Sequence, residues 1–146
     1  MAVEAAVKEQ MLRNRAAGDR ELALLRAAEG IDRPFLKTHL RRFVLFKFQL
    51  SPDEIETESI GEITDLSLAK SAKLSKELAE QVDNAKSCDG ATSAMVKKAL
   101  LYTALQRGLD LKVDSKAAAR SKTLDDLTGV VWDAMAADPA WSARLT

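Results

Sequence analysis

Few residues of this chain can do chemistry, and several of them share one stretch, "SCDGATSAMV" at positions 87–96. It holds the only cysteine, Cys88, an Asp89–Gly90 break, and the adjacent hydroxyls Thr92 and Ser93. Helical periodicity resumes just after them, so both hydroxyls stand at the start of a helix. A hydroxyl in that place has two uses. It can cap the helix by accepting a backbone N–H. It can instead carry a phosphate ester, because the unpaired N–H groups and the positive end of the helix dipole favour an anion there. Asp89 reads either as a residue capping the approach to the helix or as an acid beside the hydroxyls.

Two further residues invite a catalytic reading. A thiol is nucleophilic only where its surroundings lower its pKa, so Cys88 would need a base, and the single histidine, His39, lies far away in sequence. An enzyme built on this pair requires the fold to unite them. The alternative is a small idle cysteine and a histidine at the core edge. One cysteine forms no internal disulfide, and one Cys with one His makes no structural zinc site without other ligand types. Trp132 and Trp141 read as packing anchors.

The elements that would position these residues follow from composition and spacing. The 146 residues suit one domain with one modest core. Hydrophobic residues at 47%, charged residues at 30% and few glycines or prolines describe a folded, helix-rich chain. Lys plus Arg and Asp plus Glu are both 22, so no global field drives binding to nucleic acid or to an anionic membrane. No apolar run approaches the roughly 20 residues that span a bilayer. The first 25 residues, interrupted by Glu4, Lys8, Glu9 and Arg13, lack the apolar centre of a secretory signal. The expectation is a cytoplasmic monomer.

Along the chain, Val3, Val7 and Met11 recur at helical spacing, followed by Leu22 and Leu25 and a stop at Gly30. Residues 1–30 therefore read as a weakly apolar helical arm. Asp32 as a cap and Pro34 in the first turn open a second helix with Leu36, Leu40, Phe43, Val44 and Phe48 on its core side. Its basic run of Lys37, Arg41, Arg42 and Lys47 predicts a solvated face rather than a nucleic-acid patch. Leu74, Leu78 and Val82 mark an amphipathic helix over about 66–85. Val96, Ala99, Leu100, Tyr102 and Leu105 give the next helix one broad apolar face, closed by Gly108. After an extended "LDLKV", "DSKAAARS" predicts a short helix. Thr123 and Asp126 then form a capping-box pattern ahead of Leu124, Leu127, Val131 and Met135, and Pro139 ends that last helix. No alternation persists long enough for a sheet, so the fold class is all-α.

The order of a long helix, a loop, a helix opening at a small-residue hydroxyl motif, a short helix and a Thr-capped last helix resembles the acyl and peptidyl carrier proteins. The matching pieces are "PFLKTHLRRFVLFKFQLSPDEI", "GATSA" and "LDLKVDSKAAARSKTLDDLTGVVWDAM", together spanning about 32–137. The resemblance implies an acyl-carrier-protein-like four-helix bundle over 31–138 with an inserted helix at about 66–86, and a tail at 139–146. It implies no catalysis by the chain itself. Instead, Ser93 would bear covalent 4′-phosphopantetheine, whose thiol holds an acyl or aminoacyl group as a thioester. The implied partners are a phosphopantetheinyl transferase and the enzymes that load and process the cargo. Thr92 stands where the family has aspartate and Ala94 where it has leucine, and ungapped alignment of the downstream half puts Met95 at the serine place. Lys97 and Lys98 open a helix whose family counterparts are acidic. The same fold without the prosthetic group would serve as a helical adaptor.

Overall fold

The computed structural model describes residues 2–82 and 90–146; the side chains of residues 2–4, 74–82 and 90–93 lie outside that description. The helices in order are α1 (Ala2–Ala27), α2 (Arg33–Lys47), α3 (Ile60–Val82), α4 (Gly90–Leu109), α5 (Ser115–Arg120), α6 (Leu124–Ala137) and α7 (Pro139–Ser142). No strand occurs among the described residues; the only sheet-like pairings there are two isolated bridges, Ile31 with Leu145 and Ser59 with Thr123. The chain is all-α.

The two helices with the clearest sequence signals form as their residues dictate. Asp32 caps α2 by accepting the Phe35 N–H, with Pro34 in the first turn. Leu36, Leu40, Phe43 and Val44 are fully buried, and Phe48 just beyond the helix end is 2% exposed. In α6, the Thr123 hydroxyl accepts from the Asp126 N–H while the Asp126 carboxylate accepts from the Thr123 N–H, a complete capping box. Leu124, Leu127, Val131 and Met135 all enter the core. Asp114 caps the short α5.

The N-terminal helix packs differently from its sequence pattern. Met11 is exposed and Val7 half-buried, whereas the face turned inward carries Asn14, Gly18, Glu21, Leu22 and Leu25. α1 runs antiparallel to α2: Glu21 meets His39 and Arg42, while Asn14, earlier in α1, meets Gln49 beyond the end of α2. A Cβ at Gly18 would make only ordinary van der Waals contact with Phe43 and Phe46, whereas one at Gly108 of α4 would overlap the Leu22 side chain, so it is Gly108 that lets α1 and α4 approach so closely.

Three other expectations are corrected. α3 begins at Ile60, six residues before the predicted start, because Ile60, Ile63, Thr64 and Ser67 form a buried face that its polar members conceal in sequence. Both hydroxyls are satisfied by carbonyls, Thr64 by Ile60 within the helix and Ser67 by Phe48. The face of α4 is rotated: Leu101, Leu105 and Leu109 are buried, while Val96 and Leu100 are 49% and 57% exposed. Finally, the basic run of α2 is not simply solvated. Arg42 pairs with Glu21, Lys37 with Glu58 and Asp125, and Arg41 donates to the Ile55 carbonyl.

The stripe Leu74, Leu78 and Val82 lies on α3, but its side chains are outside the described residues. At the other end, Trp141 is buried and its indole N–H donates to the Leu109 carbonyl at 3.1 Å. Residues Ile31 and Thr146 then close the bundle, with the Ile31 N–H donating to Arg144 and the Thr146 N–H to Ile31.

Candidate functional site

Ser93 is the fourth residue of α4, whose first residue is Gly90. Its N–H and those of the three residues before it fall in the first turn, where no intrahelical carbonyl is available to them. A twenty-residue helix also carries a full macrodipole, positive at this end. Thr92 occupies the same turn, so neither hydroxyl residue precedes the helix as its cap. Cys88 and Asp89 lie outside the described residues.

Just beyond Ser93, α4 displays apolar surface. Met95 is 72% exposed, and Val96 and Leu100 follow it. Leu66 of α3 is exposed as well. Lys97, one helical turn after Ser93 and so on the same side of α4, is half-buried, with its ammonium 5.7 Å from the centre of the Phe48 ring. Burial holds its pKa below the ordinary lysine value, while the ring face supplies a cation–π attraction that favours the charged form. The Lys97–Lys98 pair is thus not a uniformly solvated basic patch. Tyr102 has a buried hydroxyl with no hydrogen-bond partner among the described residues, and burial pushes its pKa up.

His39 has a different role from that of a free base. Its Nδ1 lies 2.6 Å from Glu21 Oε2, and Arg42 Nε lies 2.6 Å from Glu21 Oε1. An ionised carboxylate only accepts, so the imidazole proton belongs on Nδ1. Burial raises the Glu21 pKa, but the hydrogen bonds from Arg42 and His39 outweigh it and leave the carboxyl below its ordinary value. Phe35 packs on the imidazole, with ring centres 4.5 Å apart. This cluster joins α1 to α2. Sequence reasoning missed Glu21 because its partners lie across a turn, 18 and 21 positions away.

Among the described residues, no group of three or more His, Cys, Asp or Glu side chains is arranged to hold a metal ion. No described helix is long and apolar enough to cross a membrane. Comparison with profiles of known protein families, with curated proteins and with solved structures returns no match.

Proposed function

We propose that the chain is a carrier module that bears 4′-phosphopantetheine on Ser93 and presents a thioester-linked acyl or aminoacyl group to partner enzymes. One observation carries this reading: Ser93 lies in the first turn of α4, and the apolar residues Met95, Val96 and Leu100 follow it on the exposed side of the same helix. The helix start favours a phosphodiester, and the apolar strip offers partners a place to dock beside the arm. Within this reading α2, α4, α5 and α6 form the carrier bundle, and α3 is the insertion.

The loading step needs a phosphopantetheinyl transferase and coenzyme A. The Ser93 hydroxyl would give up its proton and attack the phosphorus next to the pantetheine, expelling adenosine 3′,5′-bisphosphate and leaving a phosphodiester. Gly90 and Ala91 keep bulky side chains away from the approach. A second reading, an unmodified helical adaptor, draws on the exposed strip of α4 alone.

Intact-protein mass spectrometry after incubation with coenzyme A and a broad-specificity transferase separates them. The carrier reading expects one phosphopantetheine adduct, retained in Thr92→Ala and lost in Ser93→Ala. An adduct lost only in Thr92→Ala would transfer the role to the other hydroxyl. No adduct with any of several transferases would leave the adaptor.

A further inference from the structure

A groove of about 630 Å³ lies where α1, the end of α2 and the last turns of α4 meet. Its floor is apolar: Leu22 and Phe43 are buried, and Ala104 is half-buried. Met11 and Leu12 extend this surface along α1 and remain 48% and 58% exposed. The wall behind is held by Asn14, only 8% exposed, whose amide donates to the Gln49 side chain at 2.8 Å and accepts from Gln10.

Three helices each bring one cation to the rim: Arg15 from α1, Lys47 from α2 and Arg107 from α4. Asp19 is the one acid among the lining residues. The ion pairs found among the described residues use other cations. Lys47 and Arg107 sit in the last turns of their helices and complement the dipoles there. Arg15 lies in mid-helix and has no such account. Like charges brought to one rim repel, and a bound anion relieves that cost.

We infer that this groove binds an anionic amphiphile, its chain on the Leu12–Leu22–Phe43–Ala104 floor and its head group at Arg15, Lys47 and Arg107. Charge complementarity selects the anion. The exposed apolar lining selects a chain, since covering it releases water. The volume falls within the roughly 300–1,000 Å³ of small-molecule sites and favours a small ligand over a protein segment. The inference does not rest on Ser93, because it concerns a free ligand on the unmodified chain.

Isothermal titration of the full chain with dodecanoate, kept below its micelle concentration, tests it. Dodecyltrimethylammonium carries the same chain with the opposite head, and acetate carries the head without the chain. Dodecanoate should bind, acetate should not, and the cationic probe should bind at least about tenfold more weakly, the factor expected for one charge-assisted contact. Arg15→Gln and Arg107→Gln should each weaken dodecanoate binding about tenfold on the same grounds. Leu12→Glu alters an exposed position, so the fold should persist while binding is lost. Ser93→Ala should bind as the wild type does, so this inference and the carrier reading fail separately. Absence of dodecanoate binding, equal affinity for the two head groups, or wild-type affinity in Leu12→Glu would each overturn it.

Discussion

Glu21→Gln is the substitution that asks most of the structure, because this carboxylate joins two helices at a site that water barely reaches. The side chain is 10% exposed and receives hydrogen bonds from His39 and Arg42, both at 2.6 Å. A hydrogen bond to a charged group contributes about 1.5–3 kcal/mol. The His39 bond, with that side chain 16% exposed, merits most of this range, whereas Arg42 is 42% exposed and its share falls to about 1 kcal/mol or less. Full truncation in Glu21→Ala should then cost about 2–4 kcal/mol, and Glu21→Gln, which keeps one acceptor, about 1–2 kcal/mol. For a chain of this size the truncation lowers Tm by roughly 5–15 °C. The deficit also depends on pH. The folded pKa of Glu21 lies below its ordinary value of 4.5, so the stabilisation is fully present above that value and is lost as pH falls through the folded pKa. Urea unfolding at pH 7 and again at progressively lower pH measures both effects. Glu21→Gln within about 0.5 kcal/mol of wild type at pH 7, a span typical of uninvolved surface sites, would refute the reasoning. So would a deficit that does not shrink on acidification.

Two other substitutions probe the packing. In Gly108→Ala the new Cβ would fall within contact distance of the buried Leu22 side chain, so overpacking at about 1–3 kcal/mol should outweigh the gain of up to about 1 kcal/mol in helix propensity; a raised Tm would show that α1 yields easily. Thr123→Ala removes the hydroxyl half of the α6 capping box and should cost about 1 kcal/mol in thermal or urea unfolding; no change would mean that Asp126 alone holds the turn.

What could be read in the sequence depended on whether a helix states its buried face in apolar residues. α2 and α6 do so, with four or more large side chains at helical spacing and a capping residue in front, and both fold as their patterns predict. α1 hides its face because three of its inward residues are Asn14, Gly18 and Glu21, two of which pair with polar side chains across the fold and one of which has no side chain at all. α4 misleads in the opposite way. Apolar residues lie on both sides of it, and the choice between Leu101–Leu105 and Val96–Leu100 is made by Leu22 and the rest of the core, not by local periodicity. Ser93 was legible as a residue at a helix start because Gly90 and the small residues after it mark a boundary. The Glu21–His39–Arg42 cluster was not, since nothing local reveals which carboxylate the turn at Gly30 brings opposite His39.

The closing pair between Ile31 and the last residues has a consequence for the order in which the chain acquires its shape. The α1–α2 hairpin is local and can form as soon as both helices have been made. Its connecting turn, however, is fastened by residues 144–146, and the Thr146 hydroxyl reaches Ile31 across 115 positions. During synthesis that turn therefore stays unfastened until residues 144–146 have emerged; nearby, Trp141 docks on the end of α4 through its bond to Leu109. Such late, long-range closure slows folding relative to a bundle of purely local contacts. It also makes residues 144–146 a latch: until they dock on Ile31, the turn between α1 and α2 lacks these three hydrogen bonds.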